Sequence, residues 1–441
     1  MRSFVFLSTL IFAAPLVAEE PANLWTRKAG VDWPTFLGPD RNGVSPEKGI
    51  ITKWPKDGLR VMWEVPVGLG FAPPAISKGR LYHFDRFGDK ARLTCRNAET
   101  GKPLWKFEYD TDYEDYYKYS PGPRACPVVD EERVYIQGPE GMLHCLDAIK
   151  GEKIWAVNTK AEFHVHQNFF GVGSVPVVEG DLLIVPVGGS PPGPRPDDLR
   201  EVKGNGTGIV AFNKKTGEVK YKVSDALASY SSPVVVTMNG RRQGLYFARG
   251  GLIGFEPKSG TIDFEFKWRA KPMESVNASN PVVVGDKVLI TECYEKGAAL
   301  LKISPGKCEP IWTDDDNDRR EKFLMCHWNT PIHHEGYVYG SSGRNEDATL
   351  RCIELATGKV MWQEPKLSRA SLTMVDGHFL CLTEEGVLQL LKVNPKKYDR
   401  ITEWKTELVY PSWAAPVLSH GLLYIRGKDR LTCAELIPDK K

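Results

Sequence analysis

NAETGKPLW, residues 97–105, decides the fold, because the same frame returns along the chain. It reads LDAIKGEKIW at 146–155, FNKKTGEVKY at 212–221, FEPKSGTIDF at 255–264 and IELATGKVMW at 353–362. Weaker copies end at Trp312 and Trp404. Before each copy stands a second phrase, a proline-tipped apolar run, a Gly turn and another apolar run, as in VPVVEGDLLIV or NPVVVGDKVLI. Short strands and Gly turns repeating at a period of about fifty residues are the signature of a propeller, one four-stranded blade per repeat.

The anchors fall at Pro74, Pro127, Pro176, Pro233, Pro281, Pro331 and Pro416, with Thr373 in place of one proline, which makes eight units. The eighth ends near Leu436 without its aromatic-ended fourth strand. An orphan copy of that strand, VMWEVPVG at 61–68, precedes the first anchor. Pairing the two ends leaves no open sheet edge. The sequence therefore predicts an all-β chain: a single eight-bladed β-propeller over 61–437, closed by an N-terminal strand, with an extension over 19–60.

The chain has 441 residues, of which 41% are hydrophobic and 10% aromatic, enough for a large core. Residues 1–18, MRSFVFLSTLIFAAPLVA, read as a cleaved export signal: Arg2, an apolar run too short to span a bilayer, then small residues. No cysteine follows the run, so no lipid anchor is expected, and the location is periplasmic or secreted. Net charge is +2 and gives no reason to expect nucleic acid or an anionic membrane as partner; a monomer is expected. Cys95, Cys145, Cys352 and Cys433 hold equivalent places in different blades, too far apart to be bridged, and read as buried apolar side chains. The pairing of Cys126, Cys293, Cys308, Cys326 and Cys381 stays open.

Topology sorts the loops. With strands A to D running outward from the axis, the A–B and C–D turns share one face and are plain Gly turns. The D–A and B–C connections share the other face, where charged, amide, imidazole and aromatic residues gather. The candidates for a binding funnel there are Arg124, His164, Tyr230, Arg249, Asn277, Glu292, His327, Trp328, Arg344, Arg369, Glu384 and Trp413. The plain alternative is that they form interblade ion pairs and loop hydrogen bonds. No residue set has metal-ligand spacing. His164 and His166 read as a solvated pair, and DDDND at 314–318 departs from a calcium loop at Arg319 and Met325, reading as a solvated strand end. GGSPPGPRPDD at 188–198 is an insertion over the funnel face.

The TGK or TGE turn followed by an aromatic resembles the tryptophan-docking repeat of pyrroloquinoline-quinone (PQQ) type propellers. WPTFLGPDRNGVS (33–45) and HWNTPIHHEGYVYGSSGR resemble a group of exported bacterial PQQ-like repeat proteins. The resemblance implies that Trp105, Trp155, Trp312 and Trp362 are buried between blades. It also implies two functions. One is a non-catalytic binding or scaffolding protein of the cell envelope, holding a small molecule, glycan or protein segment at the funnel. The other is a PQQ- and Ca²⁺-dependent dehydrogenase. There, Glu292 and Asn277 would ligate Ca²⁺, Trp328 or Trp413 would stack on the quinone, Arg124 or Arg344 would polarise it, and Glu274 or Glu384 would act as base. The adjacent Cys-Cys pair of the dehydrogenases is absent from the sequence, as is the anchoring cysteine of the assembly scaffold.

Overall fold

The computed structural model describes residues 22–166, 169–344, 347–365 and 367–439; the expected leader lies outside them. These residues form eight sheets, each an antiparallel A–B–C–D meander. The first is Ala75–Ser77, Arg80–Phe87, Lys90–Asn97 and Pro103–Asp110. The eighth is assembled from both ends of the chain: Val417–Ser419, Leu422–Arg426 and Arg430–Glu435, completed by Val61–Pro66. Trp63 stands opposite Cys433 and Val65 opposite Leu431, so the ring is closed through main-chain hydrogen bonds between the termini.

Six of the eight blades are clamped to the next by one aromatic side chain, five of them by a tryptophan. The indole Nε1 of Trp63 donates to Ala98 O, Trp105 to Ala148 O, Trp155 to Lys214 O, Trp312 to Leu355 O and Trp362 to Asn394 O. All five acceptors sit in the C–D turn of the following blade. The turn glycine there must lack a side chain, because the ring lies against it: a Cβ on Gly217 would fall 2.8 Å from Trp155. Its φ of +75° asks for glycine as well. In the third blade Tyr221 replaces the tryptophan and its hydroxyl reaches Pro257 O. Trp155 is fully packed, whereas Trp105, Trp312 and Trp362 are half-buried. The outermost strand carries them, so one ring edge meets solvent.

Cys95, Cys145, Cys352 and Cys433 each face a docking tryptophan across strands C and D and are buried thiols. No disulfide joins any of the nine cysteines. The acidic run at 314–318 is solvated at Asp315, Asp316 and Asp318, as expected, and departs from that reading at its first residue. Asp314 is fully buried, and its carboxylate accepts the Phe323 and Leu324 N–H groups, pinning the chain on its way into the sixth blade.

The segment ahead of Val61 threads the ring. Trp33 pairs with Ile76 through both main-chain bonds, and Pro34 O accepts from Val129 N. Arg41 reaches Pro176 O, and Val44–Ser45 run parallel to the seventh blade's strand Ala370–Val375. These partners all lie on or just before A strands, whose free edges face the axis. Residues 33–45 therefore plug the central channel. Glu47 fastens the plug where it leaves, accepting from His420 N (2.8 Å) and Gly421 N (2.7 Å) in the eighth blade's A–B turn.

Candidate functional site

The D–A and B–C connections, opposite the Gly turns, surround a cavity of about 370 Å³ above the plug. Residues 111–127, between the first and second blades, form one of its walls through Tyr119 and Arg124. Asp115 organises that loop: its buried carboxylate accepts from the N–H groups of Tyr117, Tyr119 and Ser120 and pairs with Arg124 at 3.2 Å. The loop thereby lifts Tyr116, Tyr117 and Tyr119 into solvent at the rim. The insertion at 188–198 belongs to the third blade's B–C connection. Leu199 and Val202, which follow it, pack with Phe169, Val276 and Tyr294 beside the cavity.

Of the residues expected at a funnel, Arg124, Tyr230, His327, Trp328, Arg344, Arg369 and Trp413 line this one cavity. Trp328 and Trp413 lie 5.2 Å apart, and Trp413 contacts Phe71 at 4.6 Å. Tyr119, Phe170 and Tyr230 continue the aromatic wall. The arginines stack on these rings: Arg369 over Trp328 (4.5 Å), Arg124 over Phe170 (5.4 Å) and Arg344 over Tyr294 (4.7 Å).

Glu384 stands behind the wall rather than in it. It holds Arg369 in a fork, accepts Trp413 Nε1 at 2.9 Å, and so sets both cavity groups in place. The other expected residues do not line the cavity. His164 is exposed at the end of the short helix Thr159–Phe163. Arg249 is buried beside the cavity, where burial lowers its pKa to about 10. Asn277 is fully buried and donates to Ala248 O and Trp268 O. Glu292 is spent on its own turn, accepting the Tyr294, Glu295 and Gly297 N–H groups. Glu274 is exposed and outside the lining.

Chemically the cavity is one-sided. Among the described residues it presents three arginines and one histidine, and no aspartate or glutamate lines it. Burial, reinforced by Arg369 and Arg344, pushes His327 down to about 3, so its imidazole is neutral at physiological pH. The described residues do not form a Ca²⁺ set: Glu292 has its oxygens committed to backbone N–H groups, and Asn277 Oδ1, although buried without a hydrogen-bond partner, belongs to no cluster of carboxylates. Among the described residues no cluster of His, Cys, Asp and Glu is placed to hold a metal.

Several lining residues escaped the sequence reading. Phe36 and Leu37 form the floor from the tip of the plug, and Phe71, Tyr119, Phe170, Tyr294 and Tyr410 complete the walls. The tyrosine density of YEDYYKY at 113–119 was a usable signal. Phe36 and Leu37 gave none, since they lie before the first repeat.

The repeats, the closed ring and the docking indoles can now be set against known proteins. The PQQ-repeat family model described as "Outer membrane protein assembly factor BamB" matches residues 47–190 and 89–364, well over half of the chain. The chain belongs to that PQQ-like repeat propeller family. A curated relative, BamB of Moranella endobia, is 23% identical over 317 residues, covering 68% of this chain and 71% of its own. Among solved structures, BamB from Moraxella catarrhalis superposes with a TM-score of 0.57 at 14% identity, over 87% of this chain and 99% of that one. Quinohemoprotein alcohol dehydrogenase from Comamonas testosteroni gives 0.62 at 13% identity, over 93% and 81%. At such identities these structures establish the fold alone. Among the described residues no helix is long and apolar enough to cross a membrane.

Proposed function

We propose that this protein is a non-catalytic binding or scaffolding propeller of the cell envelope, which holds its ligand in the aromatic and arginine-lined cavity. The observation that carries this reading is that no carboxylate lines the cavity among the described residues. A dehydrogenase of the quinone type needs a base at the reacting carbon and ligands for its cation. Here Glu292 and Glu384 are consumed by the turn and the arginine they hold. What is left is recognition chemistry: flat rings for stacking and guanidinium groups for anions. A volume of about 370 Å³ suits a small molecule, a sugar unit or one or two side chains of a protein segment. The relatives named as outer membrane protein assembly factors support an envelope setting, as does the leader-like sequence at 1–18.

The test is a dye-linked oxidation assay of the purified protein with PQQ, CaCl₂ and a series of primary alcohols. No PQQ-dependent dye reduction is expected. Turnover that requires PQQ, and that Glu384→Gln abolishes, would overturn the reading. In parallel, native mass spectrometry of the protein from its own envelope fraction should show a bound mass. The double variant Trp328→Ala with Arg344→Ala should lose that mass while melting at an unchanged temperature.

A further inference from the structure

The cavity is polarised from floor to mouth. Its floor is apolar, built by Phe36 and Leu37 of the plug with Val276 and Leu372 around them. Leu37 holds a left-handed φ of +63°, a conformation that costs a leucine about 1 kcal/mol or more. Packing in the channel thus overrides local preference at this position. At the mouth, two of the three arginines are already neutralised: Arg124 by Asp115 at 3.2 Å and Arg369 by Glu384 at 2.7 Å. Arg344 makes no ion pair among the described residues. Its Nε is buried without a hydrogen-bond partner, and so is the indole Nε1 of Trp328. Neither atom has surface open to the cavity, so what Arg344 offers a ligand is the charge of its guanidinium, which has no counter-ion among the described residues.

We infer that the funnel binds an amphiphilic monoanion, with a carboxylate at the Arg344 guanidinium and a flat apolar body on the Phe36–Leu37 floor. This rests on the reading of the cavity as a binding site and adds the class of ligand. With no acidic residue lining the cavity among the described residues, a cationic head would face the uncompensated Arg344 guanidinium and is disfavoured. One uncompensated positive charge among the described lining residues selects one negative charge. A polyanion would find Arg124 and Arg369 already engaged.

The test is isothermal calorimetry of the full-length protein with naphthaleneacetate, its neutral isostere naphthaleneacetamide and the cation naphthylethylamine. The acid is expected to bind about tenfold more tightly than the amide, the worth of a charge-assisted hydrogen bond. The amine is expected not to bind. Arg344→Gln should bring the acid down to the amide's affinity, and Arg344→Lys should restore part of the preference. Phe36→Ala should weaken acid and amide by the same factor, since both use the floor. If acid and amide bind alike, or the preference survives in Arg344→Gln, the inference fails while the cavity stands as a binding site. If none of the three binds to protein that melts normally, the inference also fails. The binding reading is then decided separately, by the mass lost or kept in the double variant.

Discussion

Trp155→Ala is the perturbation that most directly tests how the ring is held together. The indole is 9% exposed, lies on the Gly217 turn and packs 6.0 Å from Tyr135. Removing a packed tryptophan exposes about 150–250 Å² of apolar surface, which at about 25 cal/mol per Å² is about 4–6 kcal/mol. Partial collapse of the neighbours brings the expectation to about 3–5 kcal/mol. The hydrogen bond adds little, because Lys214 O keeps the Tyr135 hydroxyl at 3.0 Å when the indole at 3.2 Å is lost. Trp155→Phe, which keeps a ring and loses only the donor and part of the area, should therefore cost about a third as much. The assay is equilibrium urea unfolding followed by both far-UV circular dichroism and fluorescence, so that loss of cooperativity is seen if it occurs. A loss below about 1 kcal/mol for Trp155→Ala would refute interblade docking as a source of stability. Equal losses for the alanine and phenylalanine variants would refute the packing argument.

Three further outcomes are expected. Deleting residues 19–66 removes both the plug and the strand that completes the eighth blade, and should lower the melting temperature and broaden the transition; a truncated protein that melts like the full chain would end the closure model. Glu47→Ala leaves the His420 and Gly421 N–H groups without their acceptor and should cost about 1–3 kcal/mol in urea unfolding, without altering strand content. The buried His144 is pushed down to about 4 by burial and Lys153, so the folded chain stays unprotonated while the unfolded chain takes up a proton near pH 6.5. Stability is therefore lost as pH falls from about 6.5 towards 4, by about 2 kcal/mol at pH 5 from this residue, and His144→Gln should flatten that part of the profile.

The repeat made the fold legible because its turn chemistry is local. A glycine with positive φ, the aromatic residue that follows it and the alternating runs are short-range features, and they recur from blade to blade. Closure was legible too, since VMWEVPVG is a recognisable fourth strand at the wrong end of the chain. Blade register also put the polar loops on one face, from the order of strands alone. Register does not say how far a side chain reaches or what it meets. Glu292 and Glu384 look alike in sequence, yet one caps its own turn and the other holds Arg369 and Trp413.

The repeat by itself determined the ring, its number of blades and the face on which the polar loops gather, because strand period and turn conformation are set by neighbouring residues. Only the tertiary structure decided the depth and charge of the funnel. The floor comes from Phe36 and Leu37, held in the channel by Ile76, Val129 and Met374, contacts that no repeat encodes. The charge that is left over is Arg344's, because two of the three guanidinium groups are cancelled by Asp115 and Glu384, brought in by folding. Neutralisation depends on distances of about 3 Å between groups from different loops, and such distances exist only once the blades are packed.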